Sequence, residues 1–256
     1  MFKKLLLMLC FAGYLCAEDV SITKLFEEDH LKGTIIIESL DGTEHYVHNE
    51  QRAKMPLLPA STFKIPNTLI ALDQGVVNEN SILMWDKIER SIPSWNQDQS
   101  LESAFKRSCV WCYQDFARHI GLEKYNEYLK KLHYGNEKMG ADVERFWLDG
   151  KLCISAYEQI AFLKKLYTND LPFQQKHLDF LKKIMIDEQG RTYTIRAKTG
   201  WAVPKNAEHH GWYVGYVESS KGVYFFATNL VTPSSDELPL RKLITLDALR
   251  AKGIIE

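Results

Sequence analysis

Residues 191–231, RTYTIRAKTGWAVPKNAEHHGWYVGYVESSKGVYFFATNLV, contain three runs with the β-branched and aromatic content of strands. They are 191–200, 211–219 and 222–231, the last two joined around Lys221-Gly222. Near the other end of the chain, GTIIIESL (33–40) and TEHYVHN (43–49) flank Asp41-Gly42, a two-residue hairpin signal. Residues 19–30 read as a helix, and Leu238 to Lys252 as a last one that stops near Gly253. From Ser61 to Glu188 the apolar spacing is mostly helical, with Ser155 and Glu158 forming a capping box ahead of QIAFLKKLY. Strands from both ends with a helical block between them predict an α/β fold of the α+β type. Its simplest packing is a central antiparallel sheet flanked by helices, with an inserted helical subdomain. No linker, repeat or low-complexity tract divides the chain, so one cooperative structure is expected.

The first residues, MFKKLLLMLCFAGYLCAED, place two lysines before an apolar run too short to span a bilayer comfortably. With Leu15-Cys16-Ala17 at its end, residues 1–17 predict a cleaved signal peptide, and 18–256 the mature domain. That points to an exported, periplasmic protein. A net charge of −1 gives no electrostatic reason to expect nucleic acid, and no other segment is apolar enough for a membrane. Of the five cysteines, Cys109, Cys112 and Cys153 lie outside the leader. An odd number argues against a disulfide scaffold. CVWC (109–112) has redox spacing but sits in a helix-like stretch, so buried free thiols are the expectation. His209-His210 are the only clustered histidines, and adjacent extended residues face opposite ways, so no metal site is expected.

The chemistry centres on PASTFKIPN (59–67), where Lys64 follows Ser61 by three residues. At a helix start these two share a face, beside unpaired backbone N–H groups that can stabilise an oxyanion. S-x-x-K also occurs at Ser21–Lys24 and Ser103–Lys106, but only Ser61 follows a proline turn and leads into an apolar run. Pro66 removes the bond to the Thr62 carbonyl and predicts a local distortion. A lysine of ordinary pKa is protonated at neutral pH and cannot take the serine proton. Elsewhere, Lys198-Thr199-Gly200 offers a cation, a hydroxyl and a close-approach glycine at a strand end. No G-x-S-x-G elbow, zinc helix or Walker loop is present.

Ser61-Thr-Phe-Lys64, Ser108-x-Val110, Tyr134-Gly-Asn136 and Lys198-Thr-Gly200 resemble, in order and spacing, the motifs of class D β-lactamases, the oxacillinases. FWLDGKLCIS (146–155) and LPLRK (238–242) resemble that family's segments around its active-site tryptophan and carboxylate-binding arginine. The resemblance spans the mature chain and implies the penicillin-binding/β-lactamase-like fold.

It also implies roles. Ser61 attacks a β-lactam carbonyl, and Lys64, carboxylated by carbon dioxide to N6-carboxylysine, is the general base for acylation and deacylation. Ser108 relays the proton towards the lactam nitrogen with electrostatic help from Lys198. Ser61 and Trp201 N–H groups form the oxyanion hole, while Thr199, Gly200 and Arg241 line the carboxylate site. Val110 and Trp147 support the carbamate. Carbon dioxide is then the one co-reactant, with no metal and no other cofactor. The expected partners are small β-lactams, with neither nucleic acid nor, after leader cleavage, a membrane, and the protein is expected as a monomer or homodimer. Rival readings are a penicillin-binding D,D-peptidase, a β-lactam sensor domain and a non-enzymatic exported binding module. Cys109, between Ser108 and Val110, has no role in this scheme.

Overall fold

The computed structural model describes residues 18–256, and the expected leader lies outside them. Six strands form one antiparallel sheet in the order β2-β1-β8-β7-β6-β5. They are β1 (Gly33–Ser39), β2 (His45–His48), β5 (Ile186–Gln189), β6 (Tyr193–Ala202), β7 (His210–Ser219) and β8 (Gly222–Val231). The first strand pairs with the last, Ile36 opposite Ala227, which brings both ends of the chain into one sheet. The turn between β1 and β2 forms at Asp41-Gly42. There the Asp41 carboxylate accepts from Ser39 Oγ and Thr43 N, and Gly42 takes φ 74.

Side chains alternate across the pleat, so successive residues enter different cores. Ile35 and Ile37 face a core with Ile22 and Phe26 of α1 (Val20–Glu28) and Ile244 and Leu249 of α9 (Leu240–Ala251). Ile36 faces the other way, into a larger core shared with the central helical block. That block comprises α2 (Glu50–Ala53), α3 (Lys64–Asp73), α4 (Leu101–Lys106), α5 (Val110–Ile120), α6 (Leu122–Leu132), α7 (Ala156–Tyr167) and α8 (Gln175–Ile184). The Ser155–Glu158 capping box opens α7 as the sequence indicates.

Two features depart from a purely helical middle. A short ladder joins β3 (Ile82–Leu83) to β4 (Gln99–Ser100), and β5 follows α8 at the sheet edge. Two-residue strands have no periodicity to read. In β5 the polar pattern IDEQ becomes strand because its backbone pairs with β6 through an irregular register.

The larger correction concerns the cysteines. Cys109 and Cys112 are joined by a disulfide, with Cα atoms 5.5 Å apart, and among the described residues Cys153 is the free cysteine. Helical spacing brings residues three apart onto one face, so the same geometry that makes two buried thiols neighbours also allows them to bond.

Candidate active site

The segment before α3 is held by the sheet it crosses. The Leu58 carbonyl accepts from Trp212 Nε1 at 2.9 Å and faces His210 Nε2 at 3.0 Å. Ala60 N–H donates to the Trp147 carbonyl, and Ala60 itself lies in the left-handed region at φ 47. A side chain there costs about 1–2 kcal/mol, which the anchored neighbours sustain. A 3₁₀ turn (Ala60–Phe63) then feeds α3, which is the form the distortion expected near Pro66 takes. Ala60 and Thr62 N–H groups donate to backbone carbonyls, whereas among the described residues no turn bond engages the Ser61 N–H.

The turn stacks Ser61 and Lys64 on one face, with Lys64 Nζ donating to Ser61 Oγ at 3.1 Å. Lys64 has no solvent exposure, and Ser61 is 9% exposed. Burial, and after it the nearby positive charge of Lys198, pushes the Lys64 amine well below the ordinary lysine range. The amine lies 4.8 Å from the Tyr113 ring centroid, and Tyr113 is itself fixed by Thr68 at 2.7 Å. Tyr113 went unnoticed in the sequence. Its signal is an aromatic residue three positions into α5 after Val110, on the inward face.

Trp147 is fully buried and stacks on Phe63 at 5.9 Å between centroids. Among the described residues its indole Nε1 is buried without a hydrogen-bond acceptor. Leaving such a donor unpaired costs about 1–3 kcal/mol, so the site asks for an acceptor. Val110, the first residue of α5, is half-buried rather than sealed in the core.

The second cluster comes from the end of β6. Lys198 Nζ donates to Ser108 Oγ at 2.5 Å and to the Thr199 carbonyl at 3.0 Å. Burial, then the Arg241 charge, lowers Lys198 to about 7, so it titrates near neutrality. Gly200 passes close to the serine turn. A Cβ placed there would lie 2.9 Å from the Pro59 carbonyl oxygen and 3.3 Å from Ser61 N, so only glycine allows this approach. Trp201 follows it, 37% exposed at the mouth of the site. Arg241, near the start of α9, donates from Nη1 to the Gly200 carbonyl at 2.6 Å. Its Nε is buried with no partner among the described residues, and burial lowers the guanidinium to about 10. A cleft of about 250 Å³ opens beside Lys198 and Thr199, bordered by Phe105, Met185 and Asp187. Ser61, Lys64, Ser108, Lys198, Thr199, Gly200 and Arg241 are thus linked through direct contacts. Tyr134-Gly135-Asn136 serves as a turn, with Asn136 donating to and accepting from the 151–153 backbone.

The arrangement sets a serine hydroxyl beside a buried amine that favours its neutral form, the chemistry a serine nucleophile needs, and brings Lys198 and Arg241 together as groups able to meet an anion. The chain matches the penicillin binding protein transpeptidase domain over residues 37–250. It is 47% identical over 217 residues to beta-lactamase OXA-20 of Pseudomonas aeruginosa, across 84% of this chain and 80% of that one. It is 43% identical to beta-lactamase OXA-48 of Klebsiella pneumoniae, across 93% of this chain and 90% of that one. Among solved structures, it is similar to the class D beta-lactamase FUS-1 (OXA-85) of Fusobacterium nucleatum subsp. polymorphum. That match has TM-score 0.90 and 36% identity, over 94% of this chain and 100% of that one. The class D beta-lactamase YbXI from Nostoc gives TM-score 0.88 and 42% identity, over 92% and 99% of the two chains. With a serine–lysine pair at the head of a helix and such identity over most of its length, the chain belongs to the class D β-lactamase family of serine hydrolases.

Proposed function

We propose that this protein hydrolyses the lactam ring of penicillin-type antibiotics through an acyl-enzyme on Ser61, with Lys64 carboxylated by carbon dioxide as the general base. The observation that carries this reading is the Lys64 amine, fully buried, without a carboxylate partner among the described residues, and 3.1 Å from Ser61 Oγ. Burial favours the neutral amine, the form that reacts with carbon dioxide. The residues present fit the product: the unpaired Trp147 Nε1 and the Ser61 hydroxyl are donors that would hold a carbamate. Bound there, the carbamate supplies an anionic oxygen that accepts a proton from the serine hydroxyl and later from water.

The remaining work belongs to the chain's own groups. Ser61 Oγ attacks the lactam carbonyl, and the Ser61 N–H, with that of Trp201 on the adjoining strand, receives the developing oxyanion. Lys198 orients Ser108 by donating to its hydroxyl, which faces the lactam nitrogen as the C–N bond breaks. Thr199 and Arg241 bind the drug's carboxylate, with Gly200 keeping strand and serine turn together. Residues 1–17 direct export, which places the mature enzyme in the periplasm, where these drugs arrive.

Incubation of purified protein with a chromogenic cephalosporin tests the reading. Sustained turnover supports it. A single stoichiometric burst points instead to a penicillin-binding peptidase or sensor, and no reaction to a binding module.

A further inference from the structure

Ser108 stands at the corner between α4 and α5. Its N–H donates to the Phe105 carbonyl at 3.1 Å, and the Cys109 N–H donates to the Ala104 carbonyl at 2.9 Å. This pair of bonds ends a helix through one residue in the left-handed conformation, usually glycine. Here that residue is Ser108, at φ 54. A side chain pays about 1–2 kcal/mol for this geometry. Glycine cannot be used, because the hydroxyl must meet Lys198 Nζ. The corner therefore holds a reactive side chain in a conformation its own backbone disfavours.

Cys109 is both the second residue past Arg107, the C-cap of α4, and the N-cap of α5. Its Sγ accepts from Cys112 N at 3.3 Å, as a capping serine or aspartate oxygen would. The bond to Cys112 Sγ makes this cap covalent. Both cysteines are fully buried, so an attacking thiolate has no access to either sulfur, which argues against a C-x-x-C oxidoreductase. The corner is braced from outside as well. Trp95 Nε1 donates to the Arg107 carbonyl at 2.8 Å, and Trp111 Nε1 to the Trp95 carbonyl at 3.0 Å.

We infer that the Cys109–Cys112 disulfide is a positioning device for catalysis: it locks the α4–α5 corner so that Ser108 Oγ stays against Lys198 Nζ. The inference rests on the proposed role of Ser108 in protonating the lactam nitrogen. Without the bond, Ser108 regains the right-handed and extended conformations open to an ordinary residue, and these turn its hydroxyl away from Lys198.

The test is a comparison of wild type, Ser108→Ala, Cys109→Ser/Cys112→Ala, and the triple variant, with a chromogenic cephalosporin. Cys109→Ser keeps a capping oxygen, so the pair removes the crosslink and little else. Loss of the crosslink should lower kcat by about ten- to a hundred-fold, as small misplacements of catalytic groups do, with KM unchanged. In the Ser108→Ala background the cysteine substitutions should add no further loss, because the bond acts through that hydroxyl. Unchanged kcat without the crosslink, or equal losses in both backgrounds, overturns the inference and leaves the role of Ser108 standing. Full activity of Ser108→Ala overturns both together. If the cysteine variant does not fold, the wild type is reduced with a phosphine in mild urea that opens the buried corner to the reagent, and is then returned to buffer. The phosphine takes oxygen from water to become its oxide while the two sulfurs take up protons. A fall in kcat that reoxidation reverses supports the inference, and undiminished turnover with both thiols confirmed free by mass overturns it.

Discussion

Lys64 Nζ lies 3.1 Å from Ser61 Oγ, shut off from solvent and, among the described residues, with no carboxylate beside it. An ammonium in that position would be a buried, unpaired charge, which costs several kcal/mol. The pair therefore favours a neutral amine next to a nucleophile. Ser61→Ala should lower kcat by roughly 10⁴–10⁶, as loss of a serine nucleophile does elsewhere. Intact-mass spectra should show a penicillin adduct on the wild type alone. Near-normal turnover by the alanine variant would remove Ser61 from the chemistry.

Arg241 bridges the last helix to the strand that carries Lys198, Thr199 and Gly200. A carboxylate clamp acts on bound substrate and transition state alike, so Arg241→Ala should chiefly raise KM. Losing a charged hydrogen bond corresponds to about 1.5–3 kcal/mol, or roughly a ten- to hundred-fold rise. Steady-state kinetics with a penicillin decides this, and an unchanged KM would show that Thr199 and Lys198 suffice.

Gly200→Ala probes the close approach of strand and serine turn. Its new methyl would meet the Pro59 carbonyl oxygen at 2.9 Å and Ser61 N at 3.3 Å, and the backbone atoms cannot simply rotate aside. The variant should lose about 1–3 kcal/mol of stability, as overpacking typically does, together with kcat. Unfolding by urea and turnover measured side by side check it, and normal values for both would mean that the strand end moves freely.

Lys198 links stability to pH. Its amine has a folded pKa of about 7, because burial and then Arg241 disfavour the charge, against about 10.4 when unfolded. Between those values the unfolded chain binds a proton that the folded chain has released, so stability rises with pH. The contribution is complete above about 10.4 and is lost as pH falls through 7. Wild-type stability minus that of Lys198→Met should therefore climb by up to about 1.4 kcal/mol per pH unit in this window. Urea unfolding of both proteins across the window measures the slope, and a flat difference would contradict the depressed amine.

Five of the sheet's six strands were legible because β-branched and aromatic runs or turn residues mark them, with Asp41-Gly42 and Lys221-Gly222 each at a hairpin, whereas the short polar edge strand β5 was not. Ser61, Lys64 and the Lys198-Thr199-Gly200 triplet were legible because their spacing carries chemistry, and the fold brings them together. The two-residue strands β3 and β4 were not, since nothing repeats in them. Nor was the Cys109–Cys112 bond, because three-residue spacing on a helix describes two packed thiols as well as two bonded ones. The contact of Tyr113 with Lys64 depends on how α5 packs against α3, a tertiary choice that a local pattern does not contain.

The role of Lys64 turns on whether it carries carbon dioxide. Acid protonates the amine and favours loss of the carbamate, so activity should fall at low pH and return with bicarbonate. Trp147→Ala should make that loss easier, since it removes the buried indole donor that stands without a partner. The most direct measurement is carbon-13 NMR of the enzyme in ¹³C-bicarbonate, with turnover followed on the same sample. A carbamate resonance that rises and falls with activity, and weakens in Trp147→Ala, is the expected result. A fully active enzyme with no carbamate resonance and no response to bicarbonate would show that Lys64 works as an unmodified neutral amine.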